Sequence, residues 1–350
     1  MNPFVPGFAL ILLAAVSGGA FAVPLKMQRR YQWENTWLLG FLFALLIIPL
    51  VVVTIFLPVW SSAIRAAGAA TIMTAMAFGF LWGWGAVTFA VGITAVGLSI
   101  GYATIMGVNT AVGSIIPMLR RWNEAPDNAK VVILAGIALC ILGVAICGRG
   151  GMLRERKAGS DPLSAAEGAA QRSLPARVFM IGLFWCVLSG FLSACANLGF
   201  DFADRVAQEA ERLGAGPLSA SVGRWITVYW GGYSAILLGC GYTMIKKGTW
   251  KNYFAQGSAR DFVLSIALGS LHFLAQIPYG MGAHYLGPLG TTVGWAVNIA
   301  LSLLVANSFG FFTGEWKGAP KASTDTLYVG LSTLVLAMIV LAKGNSMVHR

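Results

Sequence analysis

VVILAGIALCILGVAIC, Val131 to Cys147, runs without a single charged, amide or hydroxyl side chain. A helix needs about 20 predominantly apolar residues to reach across the hydrocarbon of a bilayer, and this stretch supplies most of one. WLLGFLFALLIIPLVVVTIFLPV, Trp37 to Val59, has the same character. Outward from these two runs, long apolar blocks and short polar breaks alternate along all 350 residues. Hydrophobic residues make up 57% of the chain, charged residues 11%, and mean hydropathy is +0.74. Soluble chains average about 25% charged residues, so an ordinary water-soluble enzyme is excluded. The sequence reads as an all-α integral membrane protein.

Ten transmembrane spans are predicted, at 5–24, 36–57, 69–91, 94–119, 131–148, 178–198, 219–244, 261–283, 288–313 and 326–342. Ten spans of about 20 residues leave no room for a separate folded soluble domain. No basic stretch precedes the first span, so it is expected to remain as a helix rather than be removed as a signal peptide. The longest hydrophilic linker, Arg149 to Arg177, carries six Lys and Arg and separates a first five-helix repeat (1–148) from a second (178–350). Loops on the linker's side hold 15 of the 24 basic residues. Basic loops stay in the cytoplasm, which places the linker (149–177) there and both termini outside. The net charge of +11 fits loops facing anionic lipid. Nucleic-acid binding is not supported, because no basic stripe with interleaved aromatics occurs.

The halves echo each other. Val16-Ser17-Gly18-Gly19 matches Leu188-Ser189-Gly190-Phe191, and Val96-Gly97 matches Leu286-Gly287. Gly136, Leu142, Arg149 and Gly150 correspond to Gly330, Leu336, Lys343 and Gly344 at a constant offset of 194. An odd number of spans per half turns the second half upside down, which gives two inverted five-helix repeats and a substrate site near the midplane between them. The turn around Gly92 to Gly97 and the segment Gly287-Pro288-Leu289-Gly290 then read as matching hairpins.

Several chemistries find no support. Cys140, Cys147, Cys186, Cys195 and Cys240 all fall inside apolar spans, where a free thiol behaves as a small hydrophobe. His272, His284 and His349 have no zinc-ligand spacing, and no phosphate-binding Walker loop is present, so neither a metal nor a cofactor is expected. All 13 acidic residues lie in loops or at span ends. A neutral polar solute is therefore the easiest cargo, held by amides, hydroxyls and aromatic rings.

Suitable groups lie within the spans: Trp82 and Trp84 in span 3, Tyr102 and Asn109 in span 4, Asn197 at the end of span 6. Span 7 adds Tyr229, Trp230 and Tyr233, span 8 adds His272, Gln276 and Tyr279, and span 9 adds Trp295, Asn298 and Asn307. A pyranose stacks its C–H faces on indole and phenol rings and pairs its hydroxyls with Asn, Gln and His. The competing reading makes the aromatics an interfacial belt and the amides cross-links between helices. The candidate substrate residues are Trp82, Trp84, Tyr102, Asn109, Asn197, His272, Gln276, Tyr279, Trp295 and Asn298. His272 is the one titratable group deep in a span, which makes it the first candidate for a proton site. Arg224, in the first turns of span 7, is expected to snorkel to the surface.

These residues resemble the L-rhamnose/proton symporters of the drug/metabolite transporter superfamily. The resemblance covers nearly the whole chain. It is carried by Phe21-x-x-Pro24-x-Lys26, Trp33-Glu34-x-x-Trp37, Leu81-Trp82-Gly83-Trp84-Gly85 and Gly97-Leu98-Ser99-Ile100-Gly101. Asn197, Gly231-Gly232, Gly294-Trp295 and Gly314-Glu315-Trp316-Lys317-Gly318-Ala319 complete it. It implies uptake of a neutral deoxy sugar with a proton across a bacterial inner membrane, and it adds Glu34 to His272 as a proton-coupling candidate. The chain departs from the family pattern at Ala86, at Arg224 and in span 8. A transporter of a different sugar or metabolite, an exporter included, is the second reading. A membrane enzyme acting on lipid-linked sugars is the third, and the scattered acids argue against it.

Overall fold

Backbone N–H and C=O groups find no partner in hydrocarbon, so a chain this apolar closes its hydrogen bonds inside helices. The computed structural model describes residues 4–21, 23–158 and 176–348, and every regular element among them is helical. In chain order these are α1 (Phe4–Ala20), α2 (Val23–Lys26), α3 (Trp33–Leu42), α4 (Ile48–Phe56), α5 (Trp60–Ala67), α6 (Ala69–Val96) and α7 (Leu98–Arg120). There follow α8 (Asp127–Ala158), α9 (Ala176–Phe202), α10 (Asp204–Arg212), α11 (Pro217–Lys247), α12 (Ser258–Tyr285), α13 (Gly290–Phe312) and α14 (Lys321–Val348). A π-helical turn over Phe43–Ile47 joins α3 to α4. It sits just before Pro49, whose ring would collide with the carbonyl one turn back in an unbroken α-helix.

Nine helices among the described residues are long and apolar enough to cross a membrane, and the chain is a multi-pass membrane protein. The seventh expected span is not among the nine. α11 has the length, 31 residues, but Arg224, Tyr229, Tyr233 and the pair Gly231-Gly232 dilute its apolar character. The fifth span outruns its expected end at 148: α8 continues to Ala158, supported by Gly150 against Leu327 and by Arg154 over the Trp316 ring at 4.5 Å. The middle of the expected linker, 159–175, lies outside the described residues. The sixth span also outruns its expected end, since α9 reaches Phe202 and takes Asp201 into the helix. Only Gly97 separates α6 from α7. Its φ of +90° is open to glycine at little cost, and Gly287 between α12 and α13 has φ +78°.

Glycine sets the spacing between helices. α8 and α14 lie antiparallel in a fixed register: a Cβ at Gly136 would meet Leu341, at Gly143 Leu334, at Gly150 Leu327, at Gly330 Cys147 and at Gly344 Ile133. α6 meets α11 backbone to backbone, with Gly79 against the Val228 carbonyl and Gly231 against the Met76 carbonyl. α3 meets α12 in the same way, Gly269 lying against the Gly40 carbonyl. Small residues of this kind let helices approach where lipid offers no hydrophobic drive. Two short helices cover one end of the bundle. α5 buries Ala63, Ile64 and Ala67 against Val206, Ala207 and Ala210 of α10. That end, where α9 finishes, is called the far end below.

Gly231→Ala is expected to destabilise the protein by about 1–3 kcal/mol, because the new methyl must displace a carbonyl. Gly241→Ala, on the same helix with open space around it, leaves stability unchanged or higher. Thermal unfolding of the two variants in detergent measures the difference, and equal midpoints would show that the α6–α11 contact is not close.

Candidate functional site

Trp82 on α6 and His272 on α12 lie face to face, their ring centres 5.6 Å apart at an interplanar angle of 15°. Phe41 on α3 sets its edge toward the imidazole at 4.9 Å and Phe21, just past α1, does so at 5.9 Å. Trp37 closes the group against Phe41 and Phe21. On its other side Trp82 neighbours Tyr229 at 6.5 Å, and Tyr229 stacks on Trp225, one turn earlier on α11, at 5.3 Å. Trp225 leans on Phe200 and Tyr279, and Tyr279 meets Trp295 at 5.3 Å. The Trp295 N–H points to Asn109, whose Oδ1 accepts at 3.3 Å. An unbroken file of rings therefore runs from Phe21 to Trp295 through the bundle interior. Glycines make room for it: a Cβ at Gly232 would strike Trp82, and one at Gly280 would strike Trp225 and Phe200.

The file carries polar atoms without protein partners among the described residues, His272 Nε2, Tyr229 Oη and Trp225 Nε1, and Asn298 Oδ1, three residues past Trp295 on α13, also has none. An unpaired polar atom in a dry interior costs about 1–3 kcal/mol, so several together mark a place for a polar guest. Rings with free polar edges suit a molecule that has both C–H faces and hydroxyls.

The remaining sequence candidates divide. Asn197 is fully buried and fully used: its amide N–H groups donate to the carbonyls of Gly113 at 2.7 Å and Thr291 at 3.0 Å, and its Oδ1 accepts from the Tyr279 hydroxyl. It cross-links α7, α9, α12 and α13 at the edge of the ring file. Gln276 lies half-buried one turn past His272. Trp84 packs near Phe80 and Gly239 and, among the described residues, makes no ring contact with the members of the file. Tyr102 and Asn307 instead line a separate cavity of about 710 Å³ between α1, α7, α8 and α13, which reaches Arg154, Glu315 and Trp316 near the ends of those helices.

Burial corrects the reading of the charges. Glu34 and Asp201 are 0% exposed and Asp261 1%, although all three sit near helix ends. Glu34 Oε1 accepts from the Thr249 hydroxyl at 3.0 Å and lies 3.5 Å from Lys247 Nζ, while Oε2 is buried without a partner among the described residues. Asp261 accepts the backbone N–H groups of Arg29, Arg30 and Tyr31 at 3.0, 2.5 and 2.9 Å, tying the α2–α3 loop to α12. Asp201 pairs with Arg120 and Arg121. Arg224 does not snorkel: it is 4% exposed, donates Nε to the Phe200 carbonyl at 2.9 Å, pairs with Asp204 at 3.2 Å and lies over the Phe200 ring at 3.9 Å. The α5–α10 cap covers the surface it would have needed. Trp225 escaped sequence reasoning, and Arg224 was assigned the wrong direction, because a polar residue inside a span has no readable facing without its neighbours.

The protein is similar to the L-rhamnose-proton symporter of Cronobacter sakazakii, 27% identical over 98% of each chain. The symporters of Citrobacter koseri and Yersinia pestis bv. Antiqua are each 24% identical, again over 98% of both chains. The family described as L-rhamnose-proton symport protein matches residues 1–347, and the chain belongs to that family.

Proposed function

We propose that this protein imports L-rhamnose or a related neutral deoxy sugar together with a proton, by alternating access between two inverted five-helix halves. The observation that carries the reading is the ring file with unpartnered polar edges at His272, Tyr229 and Trp225. It offers stacking surfaces to the sugar's C–H faces and hydrogen bonds to its hydroxyls, with no carboxylate among its rings to repel or bind charge.

Packing supports the inverted halves, with α11 counted as a tenth crossing. Gly79 and Gly269 stand 190 residues apart, and each lies at a backbone contact, with α11 and α3 respectively. Three residues after each comes a member of the stacked pair, Trp82 and His272, so equivalent positions of the two halves face each other. Gly97 and Gly287 share that offset and a positive φ. A site at such an axis stays in place while the halves rock around it.

The linker is cytoplasmic and the termini are outside in this reading, which rests on the basic loops and a bacterial inner membrane. Proton coupling rests on two atoms that lack partners, His272 Nε2 among rings and Glu34 Oε2 behind Lys247. Adding or removing a proton at either changes the charge of a group without water around it, which shifts the balance between states.

In proteoliposomes, an inward pH gradient of one unit is expected to accumulate labelled L-rhamnose about tenfold if one proton accompanies each sugar. His272→Ala and Glu34→Gln hold the ratio near one while still exchanging sugar at equal concentrations. Wild-type accumulation by both variants would reject the coupling assignment, and preference for another sugar across a labelled panel would reject L-rhamnose.

Tyr229→Phe keeps the stack and removes one hydroxyl. The half-saturating sugar concentration is expected to rise about two- to tenfold, the worth of one net hydrogen bond. An unchanged value would remove Tyr229 from the site.

A further inference from the structure

At the far end of the ring file, one turn past Asn197 on α9, the carboxylate of Asp201 is wholly buried. Arg120 and Arg121, at the end of α7, each give an Nη1 to a different oxygen of it. The Thr291 hydroxyl donates to Oδ1 at 2.8 Å. Arg121 also reaches Thr291 Oγ1 at 3.3 Å, and the Arg120 guanidinium lies over the Phe202 ring at 3.8 Å. Thr291 joins this cluster to the site, because its carbonyl accepts from Asn197, which in turn holds Tyr279. The other charged or titratable groups within electrostatic reach are Arg224 on α11, Asp204 at the start of α10, Tyr279 on α12, and Glu124 beyond Arg121.

The cluster spans the division between the halves. α7 belongs to the first, and α9 and α13 to the second. A movement that opens the far end by parting α7 from α9 draws the arginines of α7 away from Asp201. A carboxylate buried in a protein interior is tolerated as an anion while guanidinium groups occupy it; deprived of them, it is strongly favoured to take a proton. The neutral acid then needs only ordinary hydrogen bonds, and Thr291 remains beside it.

We propose that Asp201 is a proton-binding site at which a proton and the Arg120–Arg121 pair are alternatives: ionised and latched while the far end is closed, protonated while it is open. On opening, an O–H bond forms on Asp201 with a proton from the adjoining solution. On closing, the arginines return, that bond breaks and, without sugar, the proton goes back to water of the same solution. The onward passage of the proton with sugar rests on the transport reading above. The exclusion between proton and arginines belongs to the latch and is measured without sugar.

The test uses the full-length protein in proteoliposomes, spin-labelled at Asn123→Cys on the α7–α8 loop and Leu213→Cys at the end of α10, both exposed at the far end. The five native cysteines are buried, and the unmodified protein serves as the labelling control. Pulsed electron resonance reads the distance across the far end at a series of pH values. The open-to-closed ratio is expected to rise as pH falls, by at most about tenfold per unit for a single proton. Asp201→Asn removes the pH response and favours the longer distance at every pH, whereas Asp201→Glu retains a response. Asp204→Asn and Glu124→Gln also retain it.

A parent protein whose far-end distance ignores pH overturns the proposal, whatever the variants do. So does an Asp201→Asn variant that responds like the parent, or loss of the response in Asp204→Asn or Glu124→Gln alone. A pH-dependent far end in a protein that moves no sugar sinks the transport reading and leaves the latch. Sugar transport with a pH-independent far end does the reverse.

Discussion

Two backbone contacts decide where the rings stand. Gly79 lies against the Val228 carbonyl and Gly269 against the Gly40 carbonyl, and in neither place is there space for a side chain. Because α6 reaches α11, and α12 reaches α3, at backbone distance, the residues three positions on project inward to the same point. Those residues are Trp82 and His272. Larger residues at the glycines would hold the helices apart by a side chain's width, and the stacked pair would separate. The rest of the file follows from this placement, since Tyr229 neighbours Trp82 and Phe41 neighbours His272.

Around a middle that holds rings and amides, the charges lie toward the helix ends. Asp261 at the α12 start is satisfied by three backbone N–H groups, Glu34 at the α3 start meets a threonine and a half-exposed lysine at one of its two oxygens, and Asp201 near the α9 end is held by two arginines. Burying an ion is tolerable only with such partners. Each of these clusters draws its members from different helices, and each is therefore broken if those helices part. In the proposed reading the neutral middle accepts a sugar without electrostatic penalty, while the charged ends register whether the helices above and below it are together. Thr291 and Asn197 join the ring file to the Asp201 cluster by hydrogen bonds.

The membrane class, the helical content and the positions of most spans were legible in the apolar runs, because the bilayer imposes a length and a composition that no soluble helix needs. α11 shows the limit of that signal: the residues that build its part of the ring file, Trp225, Tyr229 and the glycine pair, are the ones that dilute its hydropathy. Trp82, His272, Tyr279 and Trp295 were legible as polar aromatics inside spans, and Trp84 looked equivalent to them. A helix turns about 100° per residue, and only the partner helix determines which of two tryptophans faces inward.

The charges make the same point. Each acid could be placed at a span end from the chain alone, and position along the bilayer normal was thereby fixed. Whether such an end meets water or another helix depends on residues far away in sequence: Asp201 meets Arg120, Arg224 lies beneath the α5–α10 cap, and Glu34 meets Thr249. Depth in the membrane is a one-dimensional property that the order of residues determines. Burial and pairing are properties of contact between separate helices, and only the packed bundle decides them.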